Sequence, residues 1–293
     1  MERTRSGFFG QILLMCIHIY LSLFLLLPAC NLQTQDSGQH NSFPVNKETP
    51  FRTIGQIPPP DGFAALPIAK NSFGEWLRTV CLKKDNRIFL YNGSLKPDQT
   101  AQFAVLDMPL GNKDLQQCAD AVMRLRAAYF FSRHAYDSIL FKATDGTVMS
   151  FAKWEKGTRY RLSGNKLKAI SSNNTVNLQS DFEDYLETVF SYAGTCSLAG
   201  ELVAVKEIQD LQPGDVFIKP GFPGHAMIVM DVVMNKKGVK RFMLAQGYMP
   251  AQDIHIVRNY MSDEMSPWYE IPGSGRLITP GWTFNIDQLK RWR

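Results

Sequence analysis

The chain of 293 residues carries a formal net charge of +5, and its lysines and arginines form no run. Proteins that bind nucleic acids need a basic stripe or patch, so the charge pattern excludes that class of partner. Five cysteines in a chain of this length also exclude a disulfide scaffold, in which cross-links replace a large hydrophobic core.

The first 30 residues have the layout of an export signal. Arg3 and Arg5 precede an apolar run over Phe8–Leu27, and this order of charged and then apolar residues is typical of a secretory signal peptide. The run ends in Leu27-Pro28-Ala29-Cys30, which resembles the bacterial lipobox. The resemblance implies that a signal peptide over residues 1–29 is removed and that Cys30 carries lipid.

A transmembrane anchor is the alternative, because the apolar run is about long enough to span a bilayer. Gln11 and His18 within the run, and Cys30 at its end, favour the lipoprotein. The predicted location is then the cell envelope, with the membrane as partner through lipid on Cys30. Asn31 gives no clear signal for retention at the inner membrane, so the outer membrane is preferred.

The rest of the chain divides into a tether and one domain. Residues 30–53 are rich in Gln, Ser, Asn and Asp and have little to bury, which predicts a flexible tether. Residues 54–293 are more apolar and aromatic, and about 240 residues are enough to bury one complete core.

Helix signals lie mostly in the first two thirds of that domain. Ser72, Asp114 and Ser180 each lie three residues before a Glu or Gln, and this spacing is the signature of a capping box. The apolar residues that follow Asp114 recur at helical spacing, which predicts a long helix with Cys118 in its first turn. Thr195 is a candidate cap for another short helix.

The last third of the chain is predicted to be rich in strands. Its short apolar runs are separated by Gly, Pro or Asn turns, and they cover Val216–Ile218, His225–Met234, Val239–Gln246 and Asp253–Val257. Helices followed by a mostly antiparallel sheet predict an α+β fold.

Within that third, Leu211-Gln212-Pro213-Gly214-Asp215-Val216 is followed by Gly224-His225-Ala226-Met227-Ile228-Val229. The pair of motifs resembles the core of papain-fold cysteine hydrolases of the NlpC and CHAP type. The resemblance implies a helix packed on a mostly antiparallel sheet or half-barrel. It also implies that His225 is the base for a cysteine thiol at the start of an earlier helix, oriented by a polar residue on the next strand.

Strand geometry points to Gln246 as that orienting residue. If Asn235–Gly238 forms a tight turn, His225 faces Tyr248, and Gln246 lies two residues away on the same face of the sheet. A shift of one residue in this register would turn Gln246 to the opposite face.

Cys118 is the preferred nucleophile, because the N-terminus of a helix favours a thiolate. Its backbone N–H and the side chain of Gln116 or Gln117 are candidate donors to an oxyanion. Cys196, in the short helix after Thr195, is the second candidate, and Cys81 ranks last. Cys118 also lies on the apolar stripe of its helix, so an inert, buried thiol is the alternative.

Three functional hypotheses follow. The first is a lipid-anchored cell-envelope hydrolase that cleaves a peptide or amide bond, with cell-wall peptides as substrate and Cys118, His225 and Gln246 as its catalytic set. The second is a non-catalytic envelope lipoprotein that binds glycan, peptide or a protein partner. The third is a metal site at His225, His255 and Asp253. The first two require no cofactor.

The domain from Ile57 to Phe284 also resembles a family of bacterial lipoproteins that carry a domain of unknown function. Four sequences carry this resemblance, namely Asp114-Leu115-Gln116-Gln117-Cys118-Ala119-Asp120, Tyr192-Ala193-Gly194-Thr195, Gly221-Phe222-Pro223-Gly224-His225 and Met249-Pro250-Ala251-Gln252-Asp253-Ile254-His255. The resemblance implies a single domain and no particular activity.

Overall fold

The computed structural model describes residues 48–172 and 177–293. The predicted signal peptide, Cys30 and most of the predicted tether lie outside the described residues. Within the two described ranges, none of the helices combines the length and the hydropathy needed to cross a bilayer.

The α-helices of the described ranges are α1 (Phe73–Thr79), α2 (Cys118–Ser132), α3 (Phe151–Glu155), α4 (Leu178–Tyr192) and α5 (Thr195–Glu201). Ser72 is the N-cap of α1, where its Oγ accepts a hydrogen bond from the Glu75 N–H at 3.2 Å, so that predicted cap is confirmed. The predicted cap at Ser180 is wrong. Asn177 caps α4 instead, and its side chain accepts from the Ser180 N–H at 3.2 Å.

The start of α2 also differs from the prediction. Gln117 is the N-cap, and its N–H donates to Asp120 Oδ2 at 2.9 Å. Asp114 is not the cap, because its carboxylate accepts from the Ala251 N–H at 2.6 Å. The helix therefore begins at Cys118, which becomes its first residue.

The strands are β1 (Phe63–Ala65), β2 (Gln102–Val105), β3 (Leu140–Lys142), β4 (Val148–Ser150), β5 (Thr158–Ser163), β6 (Lys166–Ser171), β7 (Leu202–Ala204), β8 (Val216–Lys219), β9 (His225–Asn235), β10 (Lys240–Gln246), β11 (His255–Val257), β12 (Tyr269–Glu270), β13 (Arg276–Thr279), β14 (Trp282–Asn285) and β15 (Leu289–Trp292). Among the described strands, three hairpins, β3–β4, β5–β6 and β13–β14, are separate from the main sheet.

The main sheet corrects the predicted fold class. Nine strands of the described chain form one antiparallel sheet in the order β2-β11-β10-β9-β8-β15-β7, with β1 paired to β9 and β12 paired to β10. The prediction of a papain-like helix on a half-barrel is therefore wrong. Strands from distant segments, namely β2, β7 and the C-terminal β15, extend the sheet well beyond the hairpins of the last third.

The sheet is covered on both faces, and β9 shows how. Ala226, Ile228 and Met230 belong to the apolar core that contains α2, whereas Met227 and Val229 belong to a second core on the opposite face. The second core includes residues of the β13–β14 hairpin. We call the two sides the helix face and the hairpin face.

A β-bulge makes the pairing of β9 with β10 differ from the predicted register. Lys240 pairs with Met234, which is one residue away from the register predicted for this turn. Beyond the bulge Ala245 pairs with Ile228, which is the predicted register, because Met230 has no partner of its own on β10. The prediction is thus wrong beside the turn and confirmed at the other end of the hairpin.

Asp231, next to the bulge, holds it in place, and this leads to a first prediction. Its buried carboxylate accepts from the Val232 N–H at 2.7 Å and from Arg78 Nε at 2.8 Å. Asp231→Ala leaves the Arg78 guanidinium without its carboxylate, so we expect a loss of about 3–5 kcal/mol in the free energy of unfolding, measured by urea denaturation.

The matched control is Glu270→Ala, which breaks the exposed ion pair with Arg241. That variant should lose less than about 1 kcal/mol. Equal losses in the two variants would show that the bulge does not depend on Asp231.

Candidate functional site

Three polar side chains form a hydrogen-bonded line across neighbouring strands on the hairpin face. His225 Nε2 lies 2.8 Å from Gln246 Oε1, and Gln246 Nε2 lies 3.2 Å from His255 Nε2. His255 Nδ1 lies 3.0 Å from the backbone oxygen of Asp253. All three side chains are buried. The predicted contact of Gln246 with His225 is present, and His255 extends it.

The acceptors in this line fix the protonation of both rings. A carbonyl oxygen only accepts, so the Asp253 oxygen requires a proton on His255 Nδ1, which leaves His255 Nε2 to accept from the Gln246 amide. Gln246 Oε1 in turn accepts from His225 Nε2. Every hydrogen bond is satisfied with both imidazoles neutral, and the free lone pair of His225 is then on Nδ1.

Burial favours the same neutral state. It lowers the pKa of His225 to about 4, and only the hydrogen bond that the ring donates to Gln246 opposes the shift. Burial likewise lowers the pKa of His255 to about 4. Removing an imidazolium from water is costly, so neither ring carries a charge near neutral pH.

Cys118 reaches the same end of the sheet from the helix face. The backbone N–H of Ala226 acts on its sulfur and lowers the thiol pKa, as do the N–H groups of Cys118 and Ala119 at the start of α2. Burial is the larger effect, and the nearby Asp120 carboxylate adds to it, so the pKa rises to about 11. The predicted activation by the helix N-terminus is present but outweighed.

The thiol and the imidazole line one cleft of about 580 Å³. The residues that line it include Leu115, Gln117, Cys118, Phe190, Thr195, Cys196, Phe222, His225, Tyr248, Met249 and Trp282. Phe222 is 97% exposed at its rim. Within the described residues no group hydrogen-bonds His225 Nδ1, the Cys118 thiol included. Cys118 comes from α2 on the helix face, whereas the His225 ring stacks on Phe284 of the hairpin-face core.

The other predicted nucleophiles and oxyanion donors differ in whether they line the cleft. Cys196 is exposed and lines the cleft, whereas Cys81 is exposed outside it. Gln116 is buried and accepts from Arg124 Nε, so its side chain is already engaged. Gln117 lines the cleft, which leaves it as the candidate side-chain donor to an oxyanion.

The proposed metal site is not formed by these residues. Gln246 lies between the two histidines, and Asp253 turns away to accept from Lys83 Nζ at 2.8 Å and from the Phe89 N–H at 2.9 Å. Among residues 48–172 and 177–293, no three His, Cys, Asp or Glu side chains are grouped so that they could hold a metal ion.

An aromatic wall around His225 was not predicted. The rings of Tyr248, Trp282 and Phe284 have centroids 5.0, 5.3 and 5.9 Å from the His225 ring. Tyr248 was predicted to face His225, but Trp282 and Phe284 come from β14, which follows in the chain well after β9. No local sequence pattern pointed to their contact with His225.

The chain belongs to the family described as domain of unknown function 4846, whose family model matches residues 54–291. No curated protein and no solved structure matches it.

The absence of a side chain at Gly247 lets α2 approach the end of β10, and this gives a second prediction. A Cβ at this position would lie 2.7 Å from the Gln117 oxygen and 3.3 Å from Ala121 Cβ. Gly247→Ala must therefore push the start of α2 away, and we expect a loss of about 1–3 kcal/mol in unfolding free energy by urea denaturation.

Gly200→Ala is the control, because a Cβ there meets nothing within 4 Å and the residue lies in α5. It should be neutral or stabilising by up to about 1 kcal/mol. A Gly247→Ala variant as stable as the wild type would contradict the close approach of α2 and β10.

Proposed function

We propose that this protein is a cysteine-dependent hydrolase of the cell envelope, anchored by lipid on Cys30, that cleaves an amide bond in a peptide. The observation that supports it best is the line from His225 through Gln246 to His255, which leaves Nδ1 of His225 unprotonated on a ring that lines the same cleft as Cys118. Cell-wall peptides are the proposed substrate class because of the proposed location.

The chemistry is acyl transfer. His225 Nδ1 takes the thiol proton as the Cys118 sulfur attacks the carbonyl carbon, and a C–S bond forms. The proton then passes to the leaving nitrogen as the C–N bond breaks. Water, deprotonated by the same ring, attacks the thioester, the C–S bond breaks, and the thiol is restored.

The oxyanion of the tetrahedral intermediate needs donors that are already in place. Cys118 is the first residue of α2, so its N–H has no acceptor one turn earlier within the helix. Gln117 Nε2 lies 3.5 Å from Asp114 Oδ1, a long contact that leaves a second amide proton to offer. We propose these two groups as the oxyanion donors.

Gln246 is a positioning residue in this mechanism. Its Oε1 accepts the Nε2 proton of His225 and so keeps the lone pair on Nδ1, where the sulfur needs it. The thiol and the ring must still come into contact, since they approach the end of β9 from opposite faces. Hydrogen bonds of this kind are often longer in a free enzyme than in its substrate complex.

A non-catalytic binding protein is the second candidate, and one observation favours it. Burial raises the pKa of Cys118 to about 11 and lowers that of His225 to about 4, so the resting pair is a neutral thiol and a neutral imidazole. A thiol in this state is a weak nucleophile. The cleft would then bind a peptide or glycan between Phe222, Met249 and Trp282 without cleaving it.

Hydrolysis of cell-wall peptides provides the third prediction. Incubated with a peptide digest of cell wall and followed by mass spectrometry, the wild-type chain should release new amines, and Cys118→Ala should release none. Gln246→Leu should lower the rate at least about tenfold, which is the scale of losing an oriented base. The rate should fall as the pH drops through about 4, where His225 becomes protonated and can no longer accept a proton.

Cys196→Ser is the control, because that thiol lines the same cleft and has no part in the proposed mechanism. It should keep the wild-type rate. Binding of the same peptides without any product, unchanged in Cys118→Ala, would support the binding protein and refute the hydrolase.

Lipid attachment is the fourth prediction. Cells expressing the full chain and fed radiolabelled palmitate should yield a labelled protein, and Cys30→Ser should yield none, because the lipobox cysteine is the attachment point. Cys16→Ser, within the predicted signal peptide, is the matched control and should remain labelled. Label that persists in Cys30→Ser would refute this anchor.

A further inference from the structure

Arg126, in the middle of α2, has no partner of opposite charge in the part of the chain that the structure describes. It makes no hydrogen bond and no ion pair within the described residues. Its guanidinium carbon instead lies 4.5 to 5.8 Å from the centres of four aromatic rings, those of Phe73, Tyr129, Phe130 and Trp292.

This environment is unusual for a half-buried arginine. The guanidinium offers five N–H donors that match carboxylate and phosphate oxygens, and aromatic faces cannot satisfy them all. Burial lowers the Arg126 pKa to about 10, because the charged group loses hydration and gains no carboxylate in return. Arginines buried for packing alone are normally paired, as Arg124 is with Glu183.

A cavity of about 360 Å³ lies beside Arg126. Its apolar lining includes Leu66, Ile68, Phe73 and Trp292. A second guanidinium, Arg291, also lines it, and is neutralised by Asp215 through contacts of 2.6 and 2.8 Å. Asp215 lines the cavity as well, so its charge and that of Arg291 cancel there, and one positive charge, on Arg126, is left uncompensated beside the apolar part of the wall.

We propose that this cavity binds an organic anion, with a carboxylate or phosphate group held by Arg126 and an apolar body against the rings. The site shares no lining residue with the cleft that contains Cys118, so it does not depend on the proposed hydrolase. The anion supplies the oxygen acceptors that Arg126 lacks, and the rings hold the guanidinium plane in place for a two-point contact.

Isothermal calorimetry on the full chain tests the proposal with three probes, namely inorganic phosphate, hexanoate and dihexanoylphosphatidate. We expect hexanoate, dihexanoylphosphatidate or both to bind with a Kd below about 1 mM and more tightly than inorganic phosphate. Whichever of these two probes binds more tightly indicates whether the natural ligand carries a carboxylate or a lipid phosphate. Arg126→Gln should weaken binding at least about tenfold, because a charge-assisted bidentate contact is lost.

Arg133→Gln is the matched control. This variant removes the same charge at the end of the same helix. The Arg133 side chain also contacts the Tyr129 ring, but it lies outside the cavity. Its affinity should stay within about threefold of the wild type, well below the loss in Arg126→Gln. The probes should also raise the melting temperature of the wild-type chain, a measurement that does not depend on any variant folding.

Two results would overturn the proposal. One is the absence of both heat and thermal shift for all three probes with the wild-type chain at 10 mM, about ten times the expected Kd. The other is an equal loss of affinity in Arg126→Gln and Arg133→Gln, since that would mean a general charge effect.

Discussion

One extra residue in β9 decides which groups meet at the end of the sheet. Side chains of a strand alternate between faces, so the register found beside the turn, continued along β9, would place Gln246 on the face opposite His225. The bulge at Met230 shifts the pairing by one residue, and the 2.8 Å hydrogen bond between His225 and Gln246 becomes possible. Because Asp231 ties the bulge to Arg78 in α1, the polar line is coupled to a helix far from it in sequence.

The helix face imposes a second constraint at the same place. The start of α2 can reach the ends of β9 and β10 only because Gly247 has no side chain to block it. Cys118 thus lies beside the backbone of Ala226, while His225 points to the other face. The cleft lies at the ends of these central strands, where a ligand can touch both faces at once.

Local patterns predicted the parts of this arrangement that depend on neighbouring residues. Alternation in β9 and β10 predicted the contact between His225 and Gln246, and helical spacing predicted the helix that presents Cys118. The sheet order was missed because β7 and β15 are short and their pairs are 86 to 90 residues apart, from Lys290 with Ala204 to Trp292 with Leu202. No local pattern encodes such pairing, and the same applies to the rings of β14 that enclose His225.

Gln246 sets the charge of the whole line, because an amide has both a donor and an acceptor. It satisfies His225 on one side and His255 on the other while both rings stay neutral. A carboxylate in its place would accept a hydrogen bond from each ring, and its negative charge would raise the pKa of both rings. With an amide, no buried anion stabilises an imidazolium, so the thiolate of Cys118 gains no partner before a substrate arrives. A neutral resting thiol is also a poor target for oxidants, which attack the thiolate.

Under the proposed mechanism, the Cys118 sulfur therefore becomes reactive only when a substrate carbonyl enters the cleft and its oxygen takes up the negative charge.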